Sequence, residues 1–343
     1  MAYLNIRDFG ARGDGKTDDT AALQRALEET TRAEGTLYFP AGNYCIHPVR
    51  IPSHITLLGH SAWSDGRTED ALGTVRLTAL SGDAPAFLDL TDCIGTRIIG
   101  LTLDGRGLGE RMHGIYSKHG GVEQNNCYED CRISNFTGCG LRLDWVWVFA
   151  IRRCLIADNQ LHGVDVDRGY DGWVIDNRIC RNGQWGVNAG PGMVCYTANQ
   201  IEENLQGGLL ADDTQNINVT ANLFARNRGP AVSFRHSRAS ALCGNISIAD
   251  GAPESGAAAY ELLDSVGLSM TGNTALRGED GRPACGVAAG KLADSVIREN
   301  ALPSAADRGG HIRTSIAGNA LRGGQRRCRN PEPRAGKGLH RTS

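Results

Sequence analysis

Aromatic residues are scarce, at 6% of the 343 positions, and no apolar run approaches the ~20 residues that a membrane-spanning helix needs. The chain also lacks a surplus of either charge. Its 36 Lys and Arg nearly balance 38 Asp and Glu, for a net charge of -2. General attraction to nucleic acid or to a membrane surface is therefore excluded, and neither is expected as a partner. The opening MAYLNIRDFGARGDGK has no apolar core of the signal-peptide kind. As given, the chain is expected to be cytoplasmic, or secreted if a leader has been removed. The 11 cysteines are an odd number and cannot all pair within the chain. Cys127 and Cys131 form the one close pair, with no second pair to complete a zinc site, so no metal is expected there. Cys131, Cys154, Cys180 and Cys195 fall where a coil interior is expected, as reduced packing residues.

What the chain has instead is glycine, at 45 residues, and asparagine in rows. Asn135, Asn159, Asn182, Asn204 and Asn227 follow one another at intervals of 24, 23, 22 and 23 residues. Asn177, Asn199, Asn222 and Asn245 run beside them at 22, 23 and 23. A period in the low twenties is too short for a helical hairpin and suits a solenoid of short strands. Successive coils then stack at ~4.8 Å. Asparagines repeated at a sharp turn can bond one another along the axis and tolerate left-handed backbone.

Residues 1–50 read as a cap with the first strands. Asp18, Asp19 and Thr20 supply a helix start, and Ala21, Leu23, Ala26 and Leu27 give helical spacing to about residue 33. Such a plug covers the apolar end of a solenoid. Coils are expected over 51–324, most regular from 95 to 250, with insertions at 251–260 and 278–284. The tail 325–343 is basic, rich in Pro and Gly, and expected to be disordered. The fold class is all-β, a single right-handed parallel β-helix with an N-terminal helical cap, the hand following from the crossover preference.

After each asparagine turn come a glycine and a strand: GIYSKH, GLRLDW, GVDVDR, GVNAGP, GLLADD, and then AVSFRH. Alternation points Ile115, Leu141, Val164, Val187, Leu209 and Val232 inward, with Leu143, Val166, Ala189, Ala211 and Phe234. Two outward columns remain. One is Tyr116, Arg142, Asp165, Asn188, Leu210, Ser233; the other is Lys118, Asp144, Asp167, Gly190, Asp212, Arg235. A charge-balanced solvated ladder would also be polar. The concentration of Asp144, Asp165 and Asp167, with Trp145, Trp147, Trp173, Trp185, Tyr170 and Asp171 in the same coils, points instead to a carboxylate cleft with platforms for sugar rings.

Carboxyl groups ~5–5.5 Å apart suit a retaining glycosidase and ~6.5–9.5 Å an inverting one, and Asp144 with Asp167 or with Asp165 offers either. Asp144, Asp165 and Asp167 are the candidate acid, base or nucleophile. Tyr116, Lys118, Arg142, Asn188, Asp212, Arg235 and the aromatic set are the candidate substrate contacts. A second chemistry is β-elimination or C5 epimerisation of a uronic acid, with Lys118, Arg142 and Tyr116 as neutraliser and base, and with Ca²⁺ on the aspartates if the enzyme is a lyase. His119 and His236 end their strands nearby as further candidates. A third reading is a non-catalytic glycan-binding protein. Otherwise no cofactor is expected.

NIRDFGARGDGKTDDTAALQRALEE followed by GTLYFPAGNY resembles the pectate-lyase-like β-helix superfamily. That group includes polygalacturonase-like and rhamnogalacturonase-like hydrolases, phage tailspikes, and mannuronan C5-epimerases; inulin fructotransferases are similar β-helix enzymes. The resemblance implies an oligo- or polysaccharide substrate and, as assembly, a homotrimer. Set against the YGFDPHE-type strand of the epimerases, CGLRLDW at 139–145 has Cys139 for the tyrosine, Arg142 for the aspartate and Asp144 for the histidine, which argues against alginate chemistry by that route. Asp212-Asp213 gives the DD of polygalacturonases, but Leu161-His162-Gly163 is only a partial echo of their GHG, so that pattern is incomplete. The main expectation is cleavage or transfer of a glycosidic bond.

Overall fold

The computed structural model describes residues 2–60, 63–65, 74–120, 122–251, 258–279 and 285–303, with the short strands Ala305–Asp307, Thr314–Ala317 and Ala320–Leu321. The tail 325–343 lies outside them, as do 252–257 and 280–284 of the two expected insertions. Three parallel sheets of 13, 13 and 11 strands run the length of the molecule, and consecutive strands in the chain belong to different sheets. One coil shows the plan. Val164–Asp167 lies in the third sheet, Tyr170–Ile175 in the first and Arg178–Cys180 in the second, before Trp185–Ala189 returns to the third one coil on.

Both turns flanking the second sheet carry an asparagine ladder. Asn159, Asn182, Asn204 and Asn227 each donate Nδ2 to the next Oδ1 at 2.7–3.0 Å, and the row ends on Asp250. The other row runs Asn177, Asn199, Asn222, Asn245, Asn273, Asn300. Each Oδ1 also accepts the backbone N–H of the preceding asparagine, as Asn204 does from Asn182. These bonds satisfy buried turn amides that would otherwise be orphaned.

Asn135 does not belong to its row. Phe136 takes the ladder place and donates its N–H to Asn159, while Asn135 sits one residue early at φ 63 and donates to Asp104. Left-handed backbone likewise falls on the residue before each ladder asparagine, such as Asp158, Arg181, Glu203 and Arg226, and not on the asparagine itself. Toward the N-terminal end the second row continues in sulfur: the Cys154 and Cys131 thiols reach the Tyr128 and Ile98 carbonyls, and Cys154 N–H donates to Asn177.

The cap helix, α1 (Thr20–Arg32), buries Ala22, Leu23, Ala26 and Leu27; Ala21 faces solvent, so the apolar stripe starts one residue later than expected. Asp18 accepts the Thr20 N–H at the helix start. Asp19, at the N-cap position, turns its carboxylate to the backbone of Arg12 and Gly13 instead of capping the helix. Inward positions of all coils join one apolar core along the axis. Two cysteines depart from the interior assignment. Cys195 lies half-buried on the outer face of the first sheet, because its neighbour Tyr196 takes the inward position. Cys180 is buried outside the coil, with Leu155 and Ala157 under Trp63, whose indole N–H donates to the Arg153 carbonyl.

Candidate active site

The third sheet presents its outer face as the alternation requires. Tyr116, Arg142, Asp165, Asn188, Leu210 and Ser233 are successive Cα partners, and so are Lys118, Asp144 and Asp167. Gly190 leaves the second column, because pairing with the two neighbouring strands ends at Asn188 and Ala189. Asp212 and Arg235 resume the column beyond it.

The three carboxylates do not face one another bare. Arg142 bridges Asp165 and Asp167 through its two Nη atoms, the second contact at 3.1 Å. Arg168 Nη2 donates to Asp144 at 2.7 Å, and Lys118 Nζ stands 3.5 Å from the other Asp144 oxygen. The Tyr116 hydroxyl donates to Asp144 at 3.3 Å, and Asn188 Nδ2 to Asp165 at 2.8 Å. Three cations thus interleave three carboxylates, which offsets the repulsion between like charges held so close together. Asp165 and Asp144 are 3% and 5% exposed, and their oxygens are occupied. Asp167, with 41% of its side chain exposed, is the open one. Burial and the Asp144 carboxylate push the Tyr116 phenol above its usual value, so it keeps its proton.

Three residues ahead of the first column stand His113, Cys139, His162 and Trp185, a column that the strand alternation did not bring out. His113 Nδ1 accepts the Cys139 N–H at 2.9 Å, and its ring lies 6.2 Å from that of Tyr116. His162 Nδ1 accepts the Trp185 N–H at 3.3 Å. Both imidazoles therefore carry their proton on Nε2 when neutral. Burial and the nearby Arg142 lower His113 to about 4, and burial likewise lowers His162. The Cys139 thiol, 3.8 Å from Asp165, is pushed up to about 12 by burial and is no nucleophile. Arg168 was missed for a different reason. It follows the strand at a left-handed corner, φ 55, where alternation no longer assigns a direction.

The aromatic set divides. Trp145, 44% exposed, touches the cluster through the Arg168 guanidinium, 5.2 Å from its ring. Trp147 and Tyr170 pack edge to face at 6.2 Å at the start of first-sheet strands, round the corner. Asp171 and Trp173 continue that strand, and Trp173 is exposed there between Ala150 and Cys195. Trp185 is buried with its ring against Gly207, so it is packing and not a platform. Asp212 pairs with His236 at 2.8 Å, which raises that imidazole, and Arg235 bonds Ser233 and Glu261. These form a separate group further along the sheet. His119 contacts the Gly120 carbonyl and not the cluster.

The family model described as "Right handed beta helix region" matches residues 113–275, and "Rhamnogalacturonase A/epimerase, pectate lyase-like" matches residues 3–85. The two matches, with the three-sheet solenoid, support the pectate-lyase-like superfamily of right-handed parallel β-helices. Mannuronan C5-epimerase AlgE3 of Azotobacter vinelandii is 28% identical over 207 residues, which are 54% of this chain and 11% of the relative. Alginate lyase 7 of the same organism is 56% identical over 45 residues, 13% of this chain and 5% of the relative. This β-helix thus spans a small part of the curated relatives it matches. Among solved structures, the A-module of mannuronan C-5 epimerase AlgE6 from A. vinelandii superposes with a TM-score of 0.68 over 94% of this chain and 100% of that one, at 17% identity.

Proposed function

We propose that the chain is a carbohydrate-active enzyme that binds a uronate-containing polysaccharide across the outer face of the third sheet and moves the proton at C5, as an epimerase or a lyase. The carrying observation is the interleaving of cations with carboxylates around Asp144 and Asp167. Two free carboxylates flanking a glycosidic bond would serve hydrolysis. A paired network with one open carboxylate, cations and a protonated phenol serves proton abstraction next to a carboxylate group. Similarity to mannuronan C5-epimerases over 54% of the chain favours the same class.

In this reading the cations set around Asp144 and Asp167 stabilise the negative charge that builds on the substrate carboxylate. Asp167 accepts the C5 proton, and the C–H electrons enter the carboxylate as an enediolate. Tyr116 then returns a proton to C5 from the opposite face, giving the epimer. Alternatively it protonates O4 as the C4–O4 bond breaks and a C4–C5 double bond forms. Arg142 and Asp144 stand where the epimerase motif has aspartate and histidine, so the residue set differs even where the reaction class is shared. Ca²⁺ does not fit this donor set. Each of the three carboxylates already has a guanidinium or ammonium group in contact that a divalent ion would have to displace.

A hydrolase or transglycosylase is the second reading, favoured by Asp144 and Asp167 facing one another directly across adjacent strands. Polymers of mannuronate, guluronate and galacturonate, with neutral glucans and fructans, would be incubated with the protein and followed by mass and by ultraviolet absorbance. An unsaturated product, or an unchanged mass with altered C5 configuration, supports the proposal. A water-added, saturated product moves the assignment to hydrolysis. Light scattering tests the homotrimer implied by the resemblance.

A further inference from the structure

We propose that Arg168, laid over the Trp145 ring, is the residue by which this site tells an anionic sugar from a neutral one, with Trp145 as its positioning residue. This rests on the reading of the substrate as a uronate. Asp144 and Asp167 are Cα partners, so Trp145 and Arg168, which follow them, occupy consecutive corners of the solenoid. Both corners are left-handed, at φ 58 and 55, but so are those of Asp213, His236 and Asp264, so the backbone by itself marks nothing. The side chains do. The guanidinium stacks 5.2 Å from the centre of the Trp145 ring and donates one Nη2 hydrogen to Asp144 at 2.7 Å. Its Nε is 3.9 Å from Asp167, beyond hydrogen-bond reach.

Arginine has five N–H donors, and half of this side chain is exposed, so a planar donor edge remains for a ligand carboxylate. The alternatives are worse placed. Arg142 is 25% exposed with both Nη atoms engaged, and Lys118 offers a point charge without a fork. The indole face removes the rotamer freedom that an exposed arginine would otherwise lose on binding. It is held in turn by its own backbone N–H, which donates to the Asp167 carbonyl at 2.8 Å. A ligand carboxylate on Arg168 would lie beside Asp167, the proposed proton acceptor.

The test is calorimetric binding of an acidic oligouronate and of the same oligosaccharide with its carboxyls reduced to alcohols, at low and moderate salt. Arg168→Gln is expected to weaken the acidic ligand roughly tenfold or more, to leave the neutral one unchanged, and to flatten the salt dependence. Arg168→Lys should fall between. Trp145→Ala should lower the acidic-to-neutral preference without abolishing it, and Trp145→Phe should keep most of it. Unchanged neutral binding shows that the variants are folded. If the wild type binds the acidic ligand and Arg168→Gln keeps the same preference, this inference alone is overturned. If the wild type binds no acidic oligosaccharide, the inference and the uronate reading fall together.

Discussion

Asp250 ends the polar row that begins at Asn159, and replacing it should stabilise the protein in a pH-dependent way. It occupies an asparagine place. Its Oδ1 accepts the Asn227 backbone N–H at 2.9 Å and the Asn227 side-chain N–H at 2.7 Å, and its Oδ2 accepts from Ser247 at 2.6 Å. Burial nevertheless dominates and pushes the carboxyl from 3.8 to about 6. At about 1.4 kcal/mol per pH unit, ionising it in place costs about 3 kcal/mol. Below pH 3.8 both folded and unfolded chains hold the proton and the cost vanishes. Between 3.8 and about 6 the unfolded chain releases its proton while the folded one keeps it, so stability falls as pH rises; above about 6 the full cost is present. Asn cannot ionise, and its Nδ2 should reach the Phe224 carbonyl, as Asn227 reaches that of Ile201, the residue paired with Phe224. Asp250→Asn is therefore expected to gain about 1–3 kcal/mol at pH 7.5 and almost nothing at pH 3.5, compared by urea unfolding of both proteins at each pH. A loss of stability at pH 7.5, or a gain independent of pH, would refute the reasoning.

Three further outcomes are expected. Asn204→Ala removes four buried side-chain hydrogen bonds, to Asn182 twice, Ile179 and Asn227, and should cost about 3 kcal/mol or more in the same unfolding assay. Arg142→Ala strands the buried Asp165 carboxylate and should cost about 3–5 kcal/mol, and adding Asp165→Asn should recover much of that loss. Gly207→Ala would put a Cβ 2.2 Å from the Trp185 ring, so Trp185 must move, and its fluorescence spectrum should shift while that of Gly107→Ala, in open space, should not.

The columns of the third sheet were legible because two periods act together there. Alternation decides in and out, and a repeat near 23 residues decides which coil neighbours which, so Asp144 and Asp167 could be paired without coordinates. Asn135 was misplaced because asparagine suits both the ladder and the left-handed position before it; its interval of 24 was the one out of step. Corners escaped for the opposite reason. Where the strand ends, alternation stops, and Arg168 and the true place of Trp173 were hidden with it. Nor does spacing show what covers an outer face, as Trp63 and Asp65 cover Cys180 from more than a hundred residues away.

The most direct test of the central claim is exchange of the C5 proton, followed by nuclear magnetic resonance of a polyuronate incubated in D2O with wild type, Asp167→Asn and Tyr116→Phe. The proposed mechanism predicts deuterium at C5, or a C4–C5 unsaturated product, with wild type and strong loss of either with both variants. Cleavage of a glycosidic bond with no exchange at C5, or exchange that survives both substitutions, would contradict it.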